Sequence, residues 1–189
     1  MIWLEALVIF ALVLGSTLGI ARYVVWLINK PDCGENFLTR ILKINFGAAM
    51  SGWNYFAALL GLTIVGGAWV FVVGLAQGHL PMNPGNFPGL SLLKSAHVAV
   101  ATATHTNWQP FAPESTVSAF TQTWAVGIVN MLIGAIGISA WMGFVNALAR
   151  KPLGNAWSGV WRGLLILVPL QILLTAILMS QGVSGLPLR

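Results

Sequence analysis

The sequence has 189 residues, of which 57% are hydrophobic and only 7% charged, and it contains nine Trp and nine Phe. Soluble domains carry about 25% charged residues, so this composition excludes an ordinary soluble domain and indicates a membrane protein with interfacial aromatic residues. We expect no nucleic-acid partner despite the net charge of +5. The basic residues lie near the ends of apolar segments, where such residues orient membrane proteins.

Four apolar segments predict transmembrane helices. They cover residues 2–28, 53–75, 116–148 and 163–180. The third segment exceeds the about 20 residues that a bilayer needs, so we expect it to be tilted, broken or extended beyond the membrane. Ser115 is expected to cap the start of this helix. Pro169 inside the fourth segment is tolerated in a membrane helix.

Two polar connections contain most of the basic residues. The residues in and around them are Arg22, Lys30, Arg40 and Lys43 for the first, at residues 29–52, and Arg150, Lys151 and Arg162 for the second. Basic connections face the cytoplasm, so we expect both there and both termini outside. The chain is thus predicted to be a multi-pass protein of the cell inner (plasma) membrane. A short amphipathic surface helix is expected over residues 37–46 of the first connection.

The stretch between the second and third spans, Leu90 to Gln109, is apolar but too short to cross a bilayer. Residues 90–103 predict a short helix that enters the membrane, and residues 104–109, termed the filter loop, predict a polar return segment. Polar backbone at membrane depth persists only when it is buried in protein or lines an aqueous cavity. This layout is typical of an ion-selectivity filter, in which backbone carbonyls replace the water around an ion. The predicted fold class is an all-α membrane protein with four transmembrane helices plus this pore helix and filter loop.

The residues predicted to form the filter are Thr104, His105, Thr106 and Asn107. Carbonyls line a pore only where the backbone departs from helix and sheet geometry, and His and Asn are enriched at positive φ. The threonines at 102, 104 and 106 alternate, so we expect their hydroxyls on one side of an extended strand, as hard oxygen ligands for a dehydrated cation.

Thr102, Trp108 and Gln109 are predicted to support the filter, with Trp108 packed behind it. His97 is expected to be a hydrogen-bonded packing residue. The same pattern also fits a re-entrant loop that conducts nothing. A metal site at His105 is a further alternative, although neither Cys nor a carboxylate lies near it in the sequence.

Several motifs resemble the potassium-binding subunit of the bacterial Kdp potassium-transporting ATPase. They are HLPMNPGNFPGL at residues 79–90, THTNWQ at 104–109, PEST at 113–116 and LGNAW at 153–157. The family's first filter has Asn where this sequence has His105. The resemblance covers nearly the whole chain and implies membership of the superfamily of potassium channels and transporters. It further implies that the bound ion, or cofactor, is potassium, held at Thr104, His105 and Thr106.

The family's subunit joins four helix–pore helix–helix units in one chain, whereas this chain has one such unit with an additional helix at each end. One filter strand cannot surround an ion. Our first hypothesis is therefore a homotetrameric, potassium-selective pore. The second is a partner-dependent potassium-binding subunit, or a split part of one, in a complex with Kdp-type ATPase subunits. The third is a non-conducting membrane assembly protein.

The sequence contains neither a P-loop nor a DKTG phosphorylation motif. We therefore expect that this chain is not an enzyme and does not hydrolyse ATP by itself.

Overall fold

A computed structural model of the chain describes residues 2–108 and 115–180, and this part is all-helical, as predicted. Its helices are α1 Ile2–Asn29, α2 Glu35–Leu42, α3 Gly52–Ala76, α4 Leu92–Ala103, α5 Ile128–Leu148 and α6 Ala156–Ser180. A 3₁₀ turn, Gln77–His79, follows α3, and a π-helical stretch, Thr121–Gly127, leads into α5.

Three helical segments among the described residues are long and apolar enough to cross a membrane. They are Gly52–His79, Thr121–Leu148 and Ala156–Ser180. Membrane crossing by α1, the first of the four predicted spans, stays a prediction.

The chain divides into two compact units, one ending at Ile44 and the other beginning at Asn45. In the first unit Asp32 turns the chain between α1 and α2, because its carboxylate accepts hydrogen bonds from Gly34 N at 2.9 Å and Asn36 Nδ2 at 2.8 Å. Burial acts to raise the pKa of Asp32, but the hydrogen bonds from Asn36 and Gly34 outweigh it, and this pKa is lowered. The surface helix predicted over residues 37–46 is shorter, because the left-handed conformation of Lys43 ends α2.

In the second unit α4 lies between α3 and the helix formed by the π-helical stretch and α5. The buried residues that pack there are Val70, Val73, Leu90, Val98, Ala99, Ala125 and Val129. The Ser95 hydroxyl donates to the Phe71 carbonyl at 3.1 Å, and a Cβ on Gly74 would lie 2.5 Å from the Ser95 Oγ. With 12 residues α4 is about 18 Å long. It is therefore shorter than the roughly 30 Å hydrocarbon core and cannot cross it.

Small residues bring α5 and α6 together. A Cβ on Gly159 would lie 2.3 Å from Ser139 Oγ, and one on Gly163 would lie 2.9 Å from the Ala135 backbone. Tyr55 of α3 joins this contact by donating its hydroxyl to the Ser139 carbonyl at 2.6 Å. This polar contact fixes three helices relative to one another within the second unit.

The last helix begins at Ala156, well before the predicted start at residue 163. The reason is Asn155, whose Oδ1 accepts hydrogen bonds from the N–H groups of Trp157 at 3.0 Å and Ser158 at 3.3 Å and so caps α6. Its Nδ2 donates to the carbonyls of Asn45 and Ala48, both at 2.8 Å. The LGNAW motif therefore joins the start of α6 to the segment that precedes α3.

The third predicted span also starts differently. The cap is Ser118 rather than Ser115, since the Ser118 Oγ accepts a hydrogen bond from Thr121 N at 3.2 Å. Residues 115–118 lie before the helix. Residues 109–114, which precede the predicted start at residue 116, lie outside the described part.

Candidate ion-binding site

The carbonyl groups at the end of α4 accept hydrogen bonds from the filter loop, of which Thr104–Trp108 is described. The Ala101 carbonyl accepts from the N–H groups of Thr106 and Asn107, both at 3.0 Å, and the Thr102 carbonyl accepts from His105 N at 3.0 Å. The last carbonyls of any helix have no partner within that helix. The filter loop supplies these partners by folding back over the end of α4.

This folding back fixes where the loop's own carbonyls point. A trans peptide unit is planar, so its C=O points opposite to its N–H, and the described residues contain no cis peptide bond. The N–H groups of residues 105–107 point at α4, so the carbonyls of Thr104, His105 and Thr106 point away from it on a common side. No donor in the described residues bonds to these three oxygens. We refer to them as the carbonyl row.

Positive φ occurs at the two positions where the sequence predicts it. His105 has φ 58° and Asn107 has φ 49°, while Thr104 between α4 and His105 has φ −90°. A non-glycine residue at positive φ is uncommon, and His and Asn are among the types that tolerate it. The loop therefore departs from helical geometry without any glycine.

The prediction that the threonine hydroxyls line one side of an extended strand is wrong. Thr102 lies within α4, where its buried hydroxyl donates to the Val98 carbonyl at 2.8 Å. The hydroxyls of Thr104 and Thr106 donate to the carbonyls of Val100 at 2.8 Å and Ala101 at 3.2 Å. These hydroxyls therefore bond carbonyls at the end of α4.

Trp108 is attached to α4 through its backbone. Its carbonyl oxygen lies 3.0 Å from His97 Nε2, so His97 has the predicted hydrogen bond. The predicted packing of His97 is wrong, because its side chain is exposed, and the Trp108 side chain is 76% exposed. Packing of the indole behind the loop stays a prediction, and so does any supporting role of Gln109, which lies outside the described residues.

His105 lines a cavity of about 670 Å³ between the π-helical stretch, α5 and α6. The polar residues that share this cavity are Thr123, Asn130 and Gln171. Among the described residues, the Asn130 Oδ1 atom is buried without a hydrogen-bond partner. The His105 side chain is exposed rather than packed behind the loop, because the left-handed backbone turns it away from α4. The described residues bring no three His, Cys, Asp or Glu side chains together as a metal site.

Two amide side chains that sequence reasoning missed bond the backbone of the loop that precedes α4. Gln77 is fully buried, and its Nε2 donates to the carbonyls of Pro88 at 2.7 Å and Thr116 at 3.0 Å, while its Oε1 accepts from Ser118 N at 3.0 Å. Asn83 bonds both backbone groups of Phe87 within the same loop. The sequence feature that could have indicated these hydrogen bonds is an amide side chain beside a segment rich in Pro and Gly, because the backbone groups of such a segment need partners.

The amino-acid sequence of this chain is similar to those of known proteins. The family described as the potassium-transporting ATPase A subunit matches residues 1–185. The potassium-transporting ATPase potassium-binding subunit of Edwardsiella ictaluri is 38% identical over 153 residues, or 79% of this chain and 27% of the relative. The subunit of the same name from Escherichia coli is 37% identical over 188 residues, or 95% of this chain and 33% of the relative.

The described residues form an all-helical protein in which the short helix α4 packs against the long apolar helices α3 and α5 and ends in the carbonyl row. The family match goes further, because it covers residues 1–185 of this chain. The chain belongs to the family of the A subunit of the potassium-transporting ATPase. It spans about a quarter to a third of the length of the curated relatives it matches.

Proposed function

We propose that the filter loop binds potassium through the carbonyls of Thr104, His105 and Thr106, as one of several strands around a shared pore. In this proposal the chain is a potassium-binding part of a Kdp-type potassium-transporting ATPase. The proposal rests on the carbonyl row. The N–H groups of residues 105–107 are bonded to α4, and no donor in the described residues bonds to the carbonyl oxygens of residues 104–106.

The chemistry of the carbonyl row suits a cation that sheds its water. Carbonyl oxygens replace the hydration shell of potassium in selectivity filters. The C-terminal end of a helix also carries partial negative charge, and α4 ends at Ala103, immediately before the row. Because the amide hydrogens of residues 105–107 are already bonded to α4, they do not repel a cation on the open side.

A single filter strand gives an ion ligands on one side only, so the pore needs further strands. The relatives are three to four times longer than the aligned segment, which favours strands supplied by other parts of a larger assembly. We therefore prefer a Kdp-type complex, with ATP hydrolysed by another subunit, to our initial hypothesis of a homotetramer. Four copies around one axis are the second candidate, favoured by the presence of one short helix of this kind among residues 2–108 and 115–180 and by the frequency of cyclic symmetry among homo-oligomers.

The deciding experiment isolates the affinity-tagged chain from its own cells in mild detergent and determines subunit composition by native mass spectrometry. The proposal expects copurification of further subunits and ATP hydrolysis that rises with potassium but not with sodium. A particle of four copies that alone carries potassium flux would favour the homotetramer. A stable particle that neither binds nor transports potassium would contradict both and favour a non-conducting assembly protein.

The topology is part of the proposal, with both basic connections in the cytoplasm and both termini outside. The link between the Asn45–Met50 segment and the start of α6 supports it, since Met50 N donates to the Gly154 carbonyl at 2.8 Å and thereby joins the ends of the two connections. In intact cells, an impermeant maleimide should leave native Cys33 unlabelled. It should label Gly185→Cys in a Cys33→Ser background. Labelling of Cys33 would reverse this orientation.

A further inference from the structure

We infer that His97 sets the end of the carbonyl row, by holding the Trp108 carbonyl against α4 and out of the ion path. This inference rests on the proposed function, because it names a positioning residue for the same potassium site. It concerns a residue that the filter motif does not contain.

The geometry that supports it is the hydrogen bond between His97 Nε2 and the Trp108 carbonyl, at 3.0 Å. A carbonyl oxygen only accepts, so Nε2 carries the hydrogen of this bond. The Trp108 carbonyl consequently points toward α4, whereas those of Thr104, His105 and Thr106 point away from it. The direction of the backbone therefore reverses before Trp108.

His97 is placed for this role by helical spacing. His97 and Ala101 are four residues apart in α4 and thus lie on the same face. The Ala101 carbonyl binds the N–H groups of Thr106 and Asn107, and one turn earlier His97 binds Trp108. The filter loop thus runs back along one face of α4, with its last described residue attached to the imidazole.

The rest of Trp108 offers little other attachment within the described residues. Its side chain is 76% exposed and lines, with His97 and Thr106, an open groove beside the loop. Removing the imidazole therefore releases the Trp108 carbonyl to rotate toward the ion path and leaves the loop less ordered. Loss of one hydrogen bond of ordinary net strength corresponds to a roughly two- to tenfold loss of potassium affinity.

The test follows one backbone carbonyl at a time by NMR on the chain in the complex in which it is isolated. Labelling this chain alone with ¹³C-carbonyl Trp and ¹⁵N Gln, and combining it with unlabelled partner subunits, selects Trp108, because the sequence has one Trp–Gln step. The Thr–His step selects Thr104 in the same way. In the native protein, potassium should shift the Thr104 signal and leave the Trp108 signal unchanged.

The variants are His97→Ala, His97→Gln, which keeps an N–H donor, and His79→Ala as an exposed control. His97→Ala should shift the Trp108 carbonyl signal even without potassium, make it respond to potassium, and weaken potassium affinity two- to tenfold. His97→Gln should restore most of the native behaviour. His79→Ala should match the native protein.

Two results would overturn the inference: a Trp108 signal that responds to potassium in the native protein, or one that is unchanged by His97→Ala. A Thr104 signal that is insensitive to potassium in the native protein would instead contradict the proposed function. In that case the shift of the Trp108 carbonyl signal that His97→Ala causes in the absence of potassium still decides whether His97 holds this carbonyl.

Discussion

The two loops that flank α4 differ in which of their carbonyls have hydrogen-bond donors. In the loop before α4, residues 80–91, side-chain amides bind two carbonyls: the fully buried Gln77 binds that of Pro88, and the half-buried Asn83 binds that of Phe87. In the filter loop after α4, the amide hydrogens are bound by the helix end, and the carbonyls of residues 104–106 have no donor in the described residues.

This difference bears on the proposed function. Buried backbone groups are almost always hydrogen-bonded, so the carbonyls of Phe87 and Pro88, which already have donors, are poor ligands for an ion. In the filter loop the N–H groups of residues 105–107 are bonded, which leaves carbonyl oxygens as acceptors. The cation site proposed above therefore lies after α4 and not before it.

The largest effect is expected from the supporting loop. Gln77→Leu removes the partners of the Pro88 and Thr116 carbonyls and of Ser118 N, all within the second unit. Each buried group left unpaired costs about 1–3 kcal/mol, so the free energy of unfolding should fall by about 3 kcal/mol or more. Denaturant unfolding in detergent measures this loss.

The matched control is Gln122→Leu, which removes a single hydrogen bond, to the Val117 carbonyl at 3.2 Å, from a half-buried side chain. It should cost clearly less. Equal losses in the two variants would show that Gln77 does not organise the loop before α4.

The next effect concerns the positive φ of the filter loop. Asn107 has φ 49°, which Gly adopts freely and a β-branched residue adopts only with strain. Asn107→Val should cost about 1–2 kcal/mol in this conformation and lower potassium affinity roughly tenfold, whereas Asn107→Gly should bind nearly as the native protein. Isothermal titration with potassium measures both. Equal affinity in the Val and Gly variants would argue against a left-handed residue in the binding conformation.

A smaller effect is expected at Thr106, whose hydroxyl donates to the Ala101 carbonyl at 3.2 Å. That carbonyl keeps two N–H donors when the hydroxyl is removed. Thr106→Val should therefore weaken potassium binding by about 0.5–1.5 kcal/mol, and Thr106→Ser should restore it. Native affinity in the Val variant together with a loss in the Ser variant would show that the methyl group rather than the hydroxyl supports the loop.

The smallest effect is expected from His105→Asn. Asn is the residue at this position in the family that the sequence resembles, and Asn tolerates positive φ. The Asn variant should bind potassium as tightly as the native protein, because the backbone carbonyl of residue 105, not its side chain, is proposed to contact the ion. Isothermal titration measures this. A loss of affinity or of potassium selectivity in the Asn variant would show that the imidazole itself contributes to the site.

The sequence predicts α4 and the left-handed residues after it, because a short apolar run followed by polar residues favours a helix that ends in a turn. The predicted helix at 90–103 is observed as Leu92–Ala103, and His105 and Asn107 have the expected positive φ. The direction of the threonine hydroxyls was mispredicted, since spacing along a strand carries no information about the unpaired carbonyls at the end of the preceding helix.

Long-range partners explain the other differences. Gln77 bonds a carbonyl 39 residues away, at Thr116, and Asn155 bonds one 110 residues away, at Asn45. No local pattern predicts which distant carbonyl an amide will meet. For the same reason the start of α6, which depends on the Asn155 cap, was placed too late by hydropathy alone.

The central claim is tested most directly by the carbonyls themselves. The steps Thr104–His105, His105–Thr106 and Thr106–Asn107 each occur once in the sequence, so each carbonyl of the row can be labelled singly when the labelled chain is combined with unlabelled partner subunits. The Thr116 carbonyl, bonded to Gln77 and selected by a unique Thr–Val step, is the internal control. We expect potassium, but not sodium, to shift all three signals of the row and to leave Thr116 unchanged. Signals of the row that do not respond to potassium, or that respond no more than Thr116, would contradict the account.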